Sequence, residues 1–170
     1  ERVVNLFTGP PSDKEKDTIL LHDFMAERGK RVVCGGSSAQ IISRLLNRPV
    51  KTSIDYTDPE LPPIGYIDGM DLVTEGVLTL SKTNEILSEF SKYGVDYEHI
   101  KALDRDNGAS KLAKLLMEEC TRLNLFVGKA INAAHQNPNL PVDLNIRQRI
   151  VNQLTDNLRA LGKTVNVKYY

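Results

Sequence analysis

Glycine, serine and cysteine residues cluster where a short apolar segment ends near residue 34. The run is Val32-Val33-Cys34-Gly35-Gly36-Ser37-Ser38-Ala39-Gln40. Glycine lets a backbone approach a ligand closely, and the unpaired amides of a first helical turn favour an anion. The run therefore predicts a phosphate-type anion site, with a serine-capped strand-to-helix turn that needs no ligand as the alternative.

Two familiar phosphate chemistries do not fit this run. A Walker loop needs Gly-Lys-Ser or Gly-Lys-Thr, which does not follow here. The loop of cysteine phosphatases needs an arginine where Gln40 stands. A helix N-terminus can stabilise the thiolate of Cys34, but the sequence shows no paired base, and we favour an inert core thiol.

Two more glycine-containing turns follow apolar segments, at Thr8-Gly9-Pro10 and at Thr74-Glu75-Gly76. In an open α/β sheet, ligands bind outside the carboxyl ends of the strands, so these turns are expected to line one crevice. Glu75 would repel a bare anion but accept hydrogen bonds from sugar hydroxyls, which favours a sugar phosphate or a nucleotide. The predicted ligand-binding set is Thr8, Gly9, Gly35, Gly36, Ser37, Ser38, Thr74, Glu75, Gly76, Asn132 and His135.

Other side chains that could do chemistry are interpreted as structural. Asp68, Asp71 and Glu75 are the best candidate metal ligands. If a strand begins near residue 70, Asp71 and Glu75 lie near its opposite ends, so we predict solvated carboxylates and no metal. His135 follows the fifth predicted strand; it is either an acid-base or anion-binding group or a hydrogen-bonding strut, and we predict no catalytic residue.

The elements that must position these residues alternate along the chain. Apolar runs predict strands near residues 2–7, 31–34, 49–54, 70–73, 124–127 and 165–169, with amphipathic helices between most of them. Long loops are expected at 55–69 and 130–141, and an irregular segment at 94–107. This alternation predicts a single α/β domain over residues 1–170, a three-layer sandwich with a mainly parallel, Rossmann-like sheet.

Composition excludes several classes of function. The 170 residues are 41% hydrophobic, and the 22 basic residues equal the 22 acidic ones, which argues against a nucleic-acid binder. Two cysteines exclude a disulfide scaffold. No apolar run approaches membrane-spanning length and no signal peptide is visible, so we expect a cytoplasmic protein without membrane contact. Because the chain begins at Glu1, we expect it to be a piece of a longer polypeptide.

Several segments of the sequence resemble those of one bacterial family, the stage II sporulation protein E-like (SpoIIE) serine phosphatases. The resemblance covers nearly the whole chain and is carried by six segments: Val3-Val4-Asn5-Leu6 through Gly9-Pro10-Pro11, the run 32–41, Pro62-Pro63-Ile64-Gly65-Tyr66-Ile67, the run 71–80, Phe126-Val127-Gly128 and Ala134-His135-Gln136-Asn137-Pro138.

The resemblance implies a C-terminal accessory region that follows the phosphatase domain. Family phosphatase domains hold manganese or magnesium with Asp-Gly and Asp-Asp motifs; here only Asp68-Gly69 occurs, within a predicted loop. The implied function is a non-catalytic regulatory or ligand-binding domain, with the upstream phosphatase domain and a small anion as partners and no cofactor of its own. The alternative is an enzyme that acts on a phosphorylated small molecule or nucleotide in the same crevice.

Overall fold

Short runs of valine, leucine and isoleucine form strands, and amphipathic segments between them form helices. The computed structural model describes residues 1–52, 64–94, 96–130 and 146–170. The strands are β1 (Val3–Thr8), β2 (Lys30–Cys34), β3 (Lys51–Thr52), β4 (Gly65–Tyr66), β5 (Leu72–Thr74), β6 (Arg122–Val127) and β7 (Thr164–Tyr169). The helices are α1 (Asp17–Ala26), α2 (Gly36–Leu46), α3 (Val77–Tyr93), α4 (Tyr97–Leu103), α5 (Gly108–Glu118) and α6 (Ile146–Ala160), and a 3-10 turn at Lys14–Lys16 precedes α1.

The seven strands of the described part form one sheet in the order β3-β4-β5-β2-β1-β6-β7. The five strands from β5 to β7 are mutually parallel, and β3 and β4 add an antiparallel edge. Parallel neighbours need helical crossovers, which the intervening helices supply. The predicted α/β sandwich with a mainly parallel sheet is confirmed.

Helices cover both faces of the sheet. One face packs on α1 and α2 through Phe7, Val33 and Phe126. The opposite face packs on α3, α5 and α6. A strand buried on both faces needs no polar alternation. The eight strand residues predicted to lie between the helix layers are all buried: Val4, Leu6, Val32, Val33, Leu72, Val73, Phe126 and Val127.

The register brings the carboxyl ends of the central strands into one row. Thr8 pairs with Cys34 on one side and with Val127 on the other, and Cys34 pairs with Thr74. The chain builds the sheet from β1 through β2 to β5, then crosses to the other side of β1 to form β6. The row of strand ends therefore includes a topological switch point, where α/β sheets bind ligands.

Three parts of the sequence prediction differ from the structure or lie outside it. Within the segment expected to be irregular, α4 forms because the Asp96 side chain accepts a hydrogen bond from the His99 amide and caps the helix. The predicted loop 55–69 contains β4, and its residues 55–63 lie outside the described ranges. The loop at 130–141 lies almost wholly outside them, as do Asn132 and His135. None of the described helices is long and apolar enough to cross a bilayer.

Candidate functional site

A cavity of about 320 Å³ opens at the carboxyl ends of β1, β2 and β5. Three turns line it, at residues 8–10, 34–38 and 75–77, together with Ala130 and Arg147. The register of the three strands aligns these turns, as the sequence predicted. Of the predicted ligand-binding residues, eight line the cavity: Thr8, Gly9, Gly35, Gly36, Ser37, Ser38, Glu75 and Gly76.

The start of α2 presents unpaired amides to this cavity. Gly35 precedes the helix with φ of +129° and donates its amide to the Thr74 carbonyl at 2.8 Å. The first helical bond within α2 runs from the Ala39 amide to the Gly35 carbonyl. The amides of Gly36, Ser37 and Ser38 therefore have no acceptor among the described residues.

The serine-capped alternative does not form. The residue at the cap position is Gly35, and no side chain caps the helix. Gly36, the next residue, has open space on its side-chain side, because a Cβ atom built there meets no atom within 4 Å. A ligand can therefore approach the first turn of α2 along the Gly36 backbone.

Three predicted hydroxyl residues hold the turns together. Thr8 Oγ1 donates to the Cys34 carbonyl at 2.9 Å, and Thr74 Oγ1 donates to the Glu75 carbonyl at 2.7 Å. Ser38 Oγ accepts from the Gly9 amide at 2.8 Å. All three side chains are buried. The Thr8 and Ser38 bonds fix the β1 and β2 turns relative to each other. The Thr74 hydroxyl bond is local to the β5 turn, which is joined to the β2 turn by the bond from the Gly35 amide to the Thr74 carbonyl.

Arg147 is a cavity residue that the sequence analysis missed. It lies in the first turn of α6, and its Nη1 donates to the carbonyls of Gly128 and Ala130 at 3.1 and 2.8 Å. Its guanidinium group covers Gly9, where a Cβ atom would lie 2.5 Å from Cζ. Gly9 also has φ of +84°, so the turn needs glycine for both its conformation and its space.

The charge on Arg147 is not paired within the described part of the chain. None of the ion pairs there involves it. Partial burial lowers the pKa of its guanidinium group from its ordinary value. The guanidinium stays protonated at physiological pH, because an arginine pKa starts so far above neutrality. The cavity wall therefore carries a partly desolvated cation that two carbonyls hold in place.

The neighbouring helix start is occupied by a carboxylate of the chain itself. Glu75 Oε2 accepts from the Thr79 amide at 3.2 Å in the first turn of α3. The two helix starts touch, since a Cβ atom on Gly76 would lie 3.3 Å from the Gly35 Cα. The cavity thus contains one helix start that a carboxylate fills and one that is open.

Cys34 and Asp71 occupy positions in the fold that do not line the same point of the cavity. The Cys34 thiol is fully buried, and loss of hydration raises its pKa to about 12, which keeps it protonated and unreactive. Asp71 Oδ2 accepts a hydrogen bond from the Arg31 amide at the amino ends of β2 and β5. Glu75 lies at the opposite, carboxyl end of β5. Asp71 and Glu75 therefore cannot share an ion.

Comparison of the chain with protein-family models, with curated proteins and with solved structures finds no match.

Proposed function

We propose that this chain is a ligand-binding domain that holds the anionic group of a small sugar phosphate or nucleotide at the start of α2. The observation that carries the proposal is the set of three amides, at Gly36, Ser37 and Ser38, which have no acceptor in the described part of the chain and belong to residues that line an open cavity. Backbone amides at a helix start, aided by the helix dipole, bind phosphate groups in many α/β proteins.

The cation on the opposite wall supports an anionic ligand. Arg147 lies over Gly9, and the Gly9 amide bonds to Ser38 in the first turn of α2. The arginine and the open helix start therefore flank the same backbone turn. Among the described residues this partly buried cation has no carboxylate partner, and a bound phosphate-type group would compensate its charge.

Glu75 supports a ligand that also carries hydroxyl groups. Its carboxylate lines the cavity next to the open helix start, and only one of its oxygen atoms accepts the Thr79 amide. The other oxygen can accept a hydrogen bond from a sugar hydroxyl, as acidic residues do for ribose in nucleotide-binding folds. An inorganic anion gains nothing from this carboxylate and is repelled by it.

The candidate nucleophiles near the cavity are held in structural roles, which favours ligand binding over catalysis. The hydroxyls of Thr8 and Thr74 donate to protein carbonyls, and the Cys34 thiol is kept protonated by burial. These groups stabilise the cavity wall instead of acting as nucleophiles. We therefore rank a regulatory ligand-binding domain above an enzyme that acts on a phosphorylated small molecule.

The family resemblance suggests what such a domain would regulate. As the C-terminal region of a stage II sporulation protein E-like phosphatase, the domain would report ligand binding to an upstream phosphatase domain. The manganese or magnesium of that chemistry would belong to the upstream domain. This assignment depends on the segments that resemble the phosphatase family, and the proposed anion site does not depend on it.

A leucine at position 36 tests the proposal. Its side chain would project into the open space beside the first turn of α2 and exclude a ligand there. We expect ribose 5-phosphate or a nucleoside monophosphate to bind the wild-type chain in calorimetry, and Gly36→Leu to weaken that binding at least tenfold. The melting temperature without ligand should stay unchanged.

Gln40→Leu is the matched control, because Gln40 is exposed one turn further along α2 and does not line the cavity. It should bind like the wild type. If no sugar phosphate or nucleotide binds the wild-type chain, or if Gly36→Leu binds as well as Gln40→Leu, the proposal is wrong.

A further inference from the structure

Three asparagines form a hydrogen-bonded ladder across the sheet. Asn5, Asn124 and Asn166 are register neighbours on β1, β6 and β7. Asn166 Nδ2 donates to Asn124 Oδ1 at 3.3 Å, and Asn124 Nδ2 donates to Asn5 Oδ1 at 3.0 Å. The buried Asn5 donates in turn to the Arg28 carbonyl at 3.0 Å, which fixes the direction of the ladder.

The ladder ends at an exposed acceptor. Asn166 is exposed on β7, and its Oδ1 receives no hydrogen bond from the described residues. It borders a second cavity of about 470 Å³ between α1 and β7. The ladder is complete at its buried end, and at its exposed end it leaves one acceptor to which water or a partner chain can donate.

The outer edge of β7 can accept another strand. β7 pairs with β6 over its whole length and with no other described strand. The amides of Thr164 and Tyr170 point towards the β6 side. Because peptide groups alternate along a strand, those of Val165, Val167 and Tyr169 point outwards. One of these outward carbonyls, that of Val165, accepts from Arg159 Nη2 at 3.0 Å, and its second lone pair remains for an incoming amide.

We propose that a second copy of this chain pairs with β7 in the antiparallel direction, about a two-fold axis at Asn166. Asn166 then faces Asn166 of the second copy, Val165 faces Val167, and Thr164 faces Lys168. Apolar residues oppose apolar ones and the lysine opposes a neutral residue, so the strand is complementary to itself in this register.

This register also completes the ladder. The outward peptide groups belong to residues 165 and 167, so Asn166 falls at a non-hydrogen-bonded position, where opposed side chains are closest. Each asparagine amide has two donors and one acceptor oxygen. The spare donor of each Asn166 can therefore reach the open Oδ1 of the other, which joins the two ladders.

Neighbouring registers are less favourable than the one centred on Asn166. Lys168, the residue that would normally protect this edge from pairing, is also turned away from it. An axis at Lys168 would oppose two ammonium groups, and an axis at Val167 would move the two Asn166 side chains apart, so the two ladders would not join. Lysines on edge strands normally discourage pairing. Here Lys168 Nζ lies 3.0 Å from Asp23 Oδ2, folded back towards α1 and not along the edge.

Cysteine cross-linking tests the proposed register. Asn166→Cys places two thiols opposite each other at a separation that suits a disulfide, whereas Thr164→Cys places them about 14 Å apart along the strands. The native Cys34 and Cys120 are buried and do not compete. We expect mild oxidation to convert Asn166→Cys largely to a covalent dimer and to leave Thr164→Cys monomeric.

Sedimentation of the unmodified chain gives an independent readout. We expect a concentration-dependent dimer, and Asn166→Asp should shift it to the monomer by opposing two carboxylates without lowering the melting temperature by more than a few degrees. A wild-type chain that stays monomeric at hundreds of micromolar would overturn the proposal. Equal cross-linking of the two cysteine variants would do the same, because it would indicate another interface or random collision.

Discussion

Arg147 and Glu75 place opposite charges on two walls of one cavity, and each makes a different demand on a ligand. The arginine is held by the carbonyls of Gly128 and Ala130, so it is oriented before any ligand arrives. The glutamate neutralises the start of α3 and leaves the start of α2 as the open anion position. A ligand that satisfies both walls has an anionic group and neighbouring hydroxyls.

Replacement of Arg147 by alanine should weaken binding of a sugar phosphate. A charge-assisted hydrogen bond contributes about 1.5–3 kcal/mol, which corresponds to a loss of roughly 10- to 150-fold in affinity. Arg122→Ala is the charge-matched control, because Arg122 pairs with Glu1 at the amino end of β6. Calorimetry that gives equal affinities for the two variants would exclude Arg147 from the site.

The sequence predicted the glycine and serine part of this site but not Arg147. A short segment such as Gly35-Gly36-Ser37-Ser38 predicts its own conformation, because the strand end, the turn and the helix start are adjacent in the chain. The contact between Arg147 and Gly9 joins α6 to the turn after β1, and no local spacing encodes it. Its sequence signal was weak: a basic residue in the first turn of the helix that follows β6.

At the scale of elements, the turns after β1 and β6 are packed backbone against backbone. The Gly128 amide donates to the Thr8 carbonyl at 3.1 Å, and the Ala130 amide donates to the Pro10 carbonyl at 3.0 Å. A Cβ atom on Gly128 would fall onto the carbonyl oxygens of Gly9 and Pro10. This close approach places Gly128 and Ala130 beside the cavity, and their carbonyls hold Arg147 over it.

Gly128→Ala should therefore destabilise the chain by about 2–3 kcal/mol, the cost of overpacking against an immobile backbone. Gly36→Ala is the matched substitution, since its Cβ atom meets open space; it should change the stability by at most about 0.5 kcal/mol. Urea unfolding of both variants measures the difference. Equal stabilities would show that the turns after β1 and β6 can separate without cost.

Sequence periodicity was most reliable for the elements that are buried on both faces. The runs at 3–8, 30–34 and 122–127 are strands within a residue or two of the prediction, because continuous apolar runs bounded by glycine and polar residues have few other stable folds. The helix α4 was missed because only Leu103 is buried on it, which leaves no apolar stripe to detect. Its one local signal was the capping Asp96.

At the scale of the whole molecule, Tyr170 ties α1 to the β7 edge of the sheet. The Tyr170 hydroxyl donates to Asp23 Oδ2 at 2.6 Å, and Lys168 Nζ donates to the same oxygen at 3.0 Å. The Tyr170 carbonyl accepts amides from Ser12 and Lys129 at 3.2 and 2.8 Å. These bonds join the turn after β1, the end of β6 and α1 around a single residue.

Asp23 should make this junction sensitive to acid. The hydrogen bonds from Tyr170 and Lys168 lower the pKa of Asp23 below its ordinary value of 3.8. A carboxyl whose pKa is lower in the folded state stabilises the fold fully above its unfolded pKa and loses that contribution as the pH falls through the folded pKa. The stabilisation is therefore present at neutral pH and lost below about pH 4.

Asp23→Asn should lower the free energy of unfolding by about 1 kcal/mol at pH 7, a modest loss because the carboxylate is partly exposed. The difference from the wild type should vanish near pH 2. Asp13→Asn, at an exposed carboxylate, is the control and should change the free energy of unfolding at pH 7 by at most about 0.5 kcal/mol. Parallel pH profiles for the wild type and Asp23→Asn would contradict the role assigned to Asp23.

The central claim is that the open start of α2 and the oriented arginine together bind an anionic group. Titration of the ¹⁵N-labelled chain with ribose 5-phosphate, followed by two-dimensional NMR, tests it most directly. We predict saturable shifts of the Gly36, Ser37 and Ser38 amides and of the Arg147 Nε–H, while amides at the amino ends of the strands stay unchanged. Shifts that do not saturate, or that saturate only at residues away from this cavity, would contradict the claim.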